Sequence, residues 1–113
     1  MINGAHVLLY TPEADAVRAV LGDVLGFRSV DAGEGWLIFA LPPAEIAVHP
    51  ADAPSHQLTF MCDDLAATMD ELRAKGIDFN GEPRDTGWGI IAMMALPGGT
   101  EIMLYQPRHP TAI

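Results

Sequence analysis

The sequence predicts an α+β fold of two tandem βαβββ modules whose curved mixed sheets surround a cupped site. Three observations predict it: strand-like segments opening on a histidine 50 positions apart, glycines closing the next helices at the same interval, and matching Gly-Trp and Glu-Ile pairs further on. With 113 residues, half of them apolar, the chain can fill one hydrophobic core but not two ordinary domains. Residues 1–113 therefore read as a single domain, with module one over 1–50, module two over 55–107 and a tail over 108–113.

Each module opens on a strand. His6-Val7-Leu8-Leu9-Tyr10 and His56-Gln57-Leu58-Thr59-Phe60 both begin with His, keep Leu two positions later and place an aromatic two after that, with period-two alternation. Thr11-Pro12 reads as a helix N-cap and first helical position, and Asp63-Asp64 plays the same part in the second module. The helices that follow carry Val17, Val20, Leu21 and Val24 in one case and Leu65, Met69 and Leu72 in the other, spacings that gather apolar side chains on one helical face. Gly26 and Gly76 sit where a residue free to adopt positive φ ends a helix at least cost. Three strands complete each module: Phe27 to Val30, Trp36 to Leu41 and Glu45 to His49 in the first, Ile77 to Phe79, Trp88 to Leu96 and Glu101 to Gln106 in the second. Pro42-Pro43 and Pro97-Gly98-Gly99 mark the last turns.

The pairs Gly35-Trp36 and Gly87-Trp88 are 52 positions apart, and Glu45-Ile46 and Glu101-Ile102 are 56 apart, so only the turns have lengthened. Ala51 to Ser55 joins the modules and is too short to let them move independently. A four-stranded sheet with one helix buries one face and leaves the other needing a cover. The cover is another module, from the same chain or from a second copy, and a homodimer is expected on that ground.

This order resembles the vicinal oxygen chelate superfamily, which takes in glyoxalases, bleomycin-resistance proteins and extradiol dioxygenases. The resemblance spans nearly the whole chain and includes Leu25-Gly26-Phe27, similar to the family's Leu-Gly-Phe helix ending. It implies a metal held by two His and one or two Glu, with a Glu supplied three residues after the Asn of an Asp-Pro-Asp-Gly-Asn turn. Here the stretch runs Leu96-Pro97-Gly98-Gly99-Thr100-Glu101-Ile102-Met103, so Thr100 takes the Asn place and Met103 the Glu place. By the repeat, the other carboxylate position is Ala47.

The chemistry of those substitutions is unfavourable to a metal. His6 and His56 supply two nitrogens, but Met is a soft thioether suited to copper(I) and Ala offers no ligand. Glu101 and Glu45 share strand faces with Met103 and Ala47, yet two residues along a strand is roughly 6.6 Å, against a metal bond of about 2.0–2.2 Å. The sequence thus favours a metal-free pocket lined by His6, Tyr10, Trp36, His49, His56, Phe60, Trp88, Met103 and Tyr105, with no cofactor expected. The alternative is a lyase, isomerase or extradiol dioxygenase holding Zn, Ni, Mn or Fe through His6, His56 and Glu101. Whether the chain is an enzyme is left open at this point, as is a module whose cup is filled by its own side chains.

Other classes are excluded more directly. Six Lys and Arg against fifteen Asp and Glu give a net charge of −9, which repels nucleic acid and anionic membranes. No apolar run approaches the roughly 20 residues of a membrane span, and Met1 to His6 lacks the basic opening of a secretory signal. The lone Cys62 forms no internal disulfide and has no nearby cation to make it a reactive thiolate, so a cytoplasmic home is expected. There is no Gly-x-Ser-x-Gly elbow, phosphate-cradling loop or Cys-x-x-Cys motif. What remains is a small-molecule ligand, aromatic or amphipathic, that the protein sequesters or carries.

Overall fold

In the computed structural model, the described residues are 6–45 and 47–113. Helix α2, Leu65–Ala74, organises the second half of the chain. Its start is fixed by Asp64, whose side chain accepts from the Ala67 N–H at 3.0 Å, as the sequence pattern requires. Leu65, Met69 and Leu72 recur on one face and are buried, Met69 to 1% exposure. Gly76, at φ 93°, then turns the chain into the sheet.

Four strands form that sheet. With helix α1 and strands β1 and β2 of the first half described below, they are β3 (Thr59–Met61), β4 (Asp78–Asp85), β5 (Gly89–Ala95) and β6 (Glu101–Pro107). The order is β3-β6-β5-β4; β3 runs parallel to β6 and the other pairs are antiparallel. Together with α2 this is a complete βαβββ module with a mixed sheet. Ala92 and Met94 of β5 and Ile102 and Leu104 of β6 face α2 and make the core with it. Full burial of such a side chain contributes about 1.5–3 kcal/mol, and Val17, Val20, Leu21 and Val24 of the first half pack into or against the same cluster. A bulge between Asn80 and Arg84 bends β4.

The first half is built differently from expectation. Helix α1, Ala14–Ala19, starts after Glu13 rather than at Thr11-Pro12, and Thr11 Oγ1 accepts instead from the Glu13 N–H at 3.2 Å. It runs on as a π-helical segment, Val20–Val24, and Gly26 at φ 73° ends it. Strands β1 (Ser29–Asp31) and β2 (Leu37–Phe39) then form a separate antiparallel hairpin, with Val30 opposite Ile38. The Asp31 carboxylate closes the turn by accepting from Gly33 N and Gly35 N. Val17 is buried in the same core as Leu65 and Met69, so α1 and α2 lie on one side of the structure.

Two expected strands do not form among the described residues. His6 to Tyr10, and the described part of Glu45 to His49, have no strand structure, and the strand expected from His56 begins at Thr59. Ile46 of the Glu-Ile pair and residues 1–5 lie outside the described residues. The physical reason is pairing: an extended segment becomes a strand only when a neighbour satisfies its N–H and C=O groups. In the second half β6 does this for β3, whereas β1 and β2 have only each other.

Candidate functional site

The face of the sheet opposite α2 is open, and the register assigns its residues. Thr59 lies opposite Met103 and Met61 opposite Tyr105; Met103 in turn faces Met93, and Tyr105 faces Ile91. Beyond them Met93 pairs with Asn80 and Ile91 with Arg84. Because directly opposed residues share a face, these rows form one floor. Three thioethers, Met61, Met93 and Met103, give it an adaptable apolar centre.

The two ends of the floor differ in chemistry. At one end the Trp88 ring meets Tyr105 edge-on, 5.5 Å between centroids at 70°. His109 lies tilted over the same ring at 5.8 Å, with its Nε2 hydrogen-bonded to the Tyr105 hydroxyl. Gly89 makes this possible: a Cβ there would stand 2.8 Å from both Gln106 O and the Tyr105 ring. The tail is tied across this end, with Arg108 paired to Asp85 and the Ala112 N–H donating to Glu45 Oε2 at 2.6 Å. Burial raises the Tyr105 phenol above its usual range and the nearby Glu45 charge adds to that. Asp85 is held below the usual carboxylate range by the Gly87 N–H and by Arg108. At the other end Gln57 Nε2 reaches Thr59 Oγ1 at 3.4 Å and Met103 Sδ at 4.0 Å, while Asn80 Nδ2 donates to Glu101 Oε2 at 2.7 Å.

Of the residues expected at the site, Trp88, Met103 and Tyr105 come together on this floor. Phe60 does not: it pairs with Leu104 on the helix side and packs edge-on against Phe27 at 5.5 Å. His6, His49 and His56 are exposed, and Tyr10 is 88% exposed. Trp36 is 61% exposed, with the Arg18 guanidinium 5.2 Å over its ring. Sequence reasoning missed Gln57, Thr59, Met61, Met93 and His109. Alternation counted back from Met103 through a parallel partner identifies the first three, but that register is not visible in the sequence.

A metal is implied by the family resemblance, and the donor set does not fit one. Among the described residues no group of three or more His, Cys, Asp or Glu side chains is placed to hold an ion. Glu101 is engaged by Asn80, and the position nearest the floor's centre is the Met103 thioether. Burial, with Asp63 and Asp64 beside it, pushes the Cys62 thiol up, which disfavours a reactive thiolate. Two open hollows, of about 410 and 350 Å³, lie on the hairpin rather than over the floor, the larger lined by Arg28, Ser29, Val30, Ile38, Phe39 and Ala40. On the floor itself Met61 and Trp88 are exposed, Met93, Met103 and Tyr105 are half-buried and Ile91 is buried.

The model of the Glyoxalase/Bleomycin resistance protein/Dioxygenase superfamily matches residues 4–104. The chain belongs to that superfamily. The resemblance read from the motifs is thereby borne out, and the superfamily's α+β fold is what the second half displays. Among solved structures, the superfamily member is similar to TnmS3, an antibiotic binding protein from Streptomyces sp. CB03234, at 26% identity and TM-score 0.64, over 95% of this chain and 99% of that one. It is also similar to a glyoxalase/bleomycin resistance protein from the same Streptomyces strain, at 25% identity and TM-score 0.58, over 85% and 93%. UcmS2 shares the fold, at 17% identity and TM-score 0.65, over 94% and 98%. No curated protein matches the chain. No helix among the described residues is long and apolar enough to cross a membrane.

Proposed function

We propose that this superfamily member is a metal-free binding protein that sequesters or carries a planar aromatic or amphipathic small molecule. The observation that carries the reading is the floor itself: Tyr105 and Trp88 set edge-on beside three methionines, with a thioether where a metal would need a carboxylate. Aromatic rings and thioethers recognise flat apolar surfaces with little demand on exact shape. Polar groups at the far end, Gln57, Thr59, Asn80 and Glu101, orient such a ligand by hydrogen bonding. The similarity to an antibiotic binding protein supports an antibiotic-like ligand, and with it a role in resistance. In this proposal the two modules of residues 1–50 and 55–107 pair across the cup, the protein works as a homodimer, and it resides in the cytoplasm.

The test is titration of the purified protein with a panel of polycyclic aromatic antibiotics and with 8-anilinonaphthalene-1-sulfonate, followed by fluorescence. Saturable binding that Trp88→Ala weakens about tenfold is the expected result, since one well-placed aromatic contact is worth about 1.4 kcal/mol. A stoichiometric divalent ion in the protein as purified, together with turnover of a dicarbonyl, epoxide or catechol, would replace this reading with the enzymatic one. That outcome requires Glu101 to leave Asn80, and Glu101→Gln would then abolish both metal and activity.

A further inference from the structure

We infer, on the reading proposed above, that the flat ligand carries an anionic oxygen group, a carboxylate, sulfonate or ionised phenol, and that Arg84 on strand β4 recognises it. The register of the sheet puts that residue in place. Asn80 lies opposite Met93, so an unbroken β4 would bring Glu82 opposite Ile91 two residues on; the bulge shifts the pairing and brings Arg84 there instead. Gly81, at φ 77°, and Pro83, which has no N–H to leave unpaired, lie within the bulge. A negative side chain is thereby exchanged for a positive one at the edge of the apolar floor.

The surroundings leave that guanidinium available. Among the described residues Arg18, Arg73, Lys75 and Arg108 are each paired with a carboxylate, whereas Arg84 is exposed and makes no ion pair. Arg28, the other cation outside those pairs, lines the hollow on the hairpin. Asp78 and Glu101, the carboxylates that share the floor face, flank Ala95 at the far end. Ala95 lies four residues along β5 from Ile91, roughly 13 Å away, and Glu101 is already held by the Asn80 amide. In the other direction Arg84, Ile91 and Tyr105 make one cross-strand row, so two strand spacings, roughly 10 Å, separate the cation from the aromatic end. Ile91, between them, is 6% exposed and stands apart from the helix-side cluster. A fused-ring body lying over Ile91 and Met93 spans this row, with one edge at Tyr105 and Trp88 and an acidic substituent on the opposite edge at Arg84. A chain of net charge −9 repels an anion from most of its surface. A guanidinium, which can grip a carboxylate or sulfonate through two N–H groups, supplies the local exception.

The experiment is a pair of fluorescence titrations of the full chain, one with 8-anilinonaphthalene-1-sulfonate and one with N-phenyl-1-naphthylamine, which has the same rings and no sulfonate. The parent, Arg84→Gln and Arg28→Gln are compared, each checked for folding by circular dichroism. Arg84→Gln should raise the Kd of the sulfonate dye about tenfold, the low end for a hydrogen bond to a charged group because the site is exposed. The uncharged dye should bind Arg84→Gln as it binds the parent. Arg28→Gln, which removes the same charge elsewhere, should leave both dyes unaffected. Equal weakening of the two dyes by Arg84→Gln would reduce Arg84 to a packing role and overturn the inference. So would an unchanged sulfonate Kd, or an equal loss in Arg28→Gln, which would trace the effect to net charge. A parent that binds only the uncharged dye refutes anion recognition while leaving the proposed function standing; a parent that binds neither dye refutes both.

Discussion

Replacing Gly89 by alanine tests the packing that sets up the aromatic end of the floor. The added methyl would lie 2.8 Å from the Gln106 carbonyl oxygen and 2.8 and 2.9 Å from two carbons of the Tyr105 ring. The oxygen belongs to the backbone of β6, opposite Gly89–Ile90 in the ladder, and cannot withdraw without breaking sheet pairing. The ring must therefore swing away, and β5 and β6 must spread. Overpacking of this kind costs about 1–3 kcal/mol, which for a domain of this size lowers the melting temperature by roughly 4–15 °C. A displaced Tyr105 also loses its edge contact with Trp88 and its hydrogen bond to His109. Thermal unfolding followed by circular dichroism, with dye binding measured on the same samples, reads both effects. A Gly89→Ala protein that melts within about a degree of the parent and binds equally well would refute the reasoning.

Other expectations follow from single contacts. Asp64→Ala removes the acceptor for the Ala67 N–H and should cost about 0.5–2 kcal/mol in urea unfolding, while Asp64→Asn should cost much less. Because the Asp85 carboxyl titrates below its usual range in the folded chain, its pairing stabilises the fold above the ordinary carboxylate pKa and is lost as pH falls through the depressed one. Melting curves below about pH 4 should accordingly fall more steeply for the parent than for Asp85→Asn. Phe60→Leu should lower stability through the lost Phe27 contact yet leave dye affinity unchanged, since Phe60 lies on the helix side; an affinity loss at unchanged stability would place it on the floor after all.

The second half was legible because its signals are local and redundant. Asp64, the Leu65-Met69-Leu72 stripe and Gly76 each mark the same helix, and alternation through β6 separates Ile102 and Leu104 from Met103 and Tyr105 without reference to anything distant. The hairpin was legible too, since the Asp31 carboxylate and the glycines around Glu34 make their own turn. Where reading failed, the missing information was a partner. Residues 6–10 have strand composition, but a strand exists only against a neighbour, and among the described residues none pairs with them. Phe60 was assigned to the cup by counting from His56, whereas the parallel register with β6 turns the odd-numbered residues of β3 to the floor. Gln57 carries no motif of its own and becomes a candidate only through its reach to Met103. His109 was set aside with the tail, and nothing in its spacing indicates that it folds back on Tyr105.

The claim on which the rest depends is that the floor binds a flat ligand through rings and thioethers, with no ion taking part. The most direct measurement is calorimetric titration of one polycyclic aromatic antibiotic that binds, carried out on protein as purified and on protein dialysed against a strong chelator. The account predicts the same Kd and heat in both, and loss of the signal in Tyr105→Ala. Binding that disappears with the chelator and returns with an added divalent metal would contradict it.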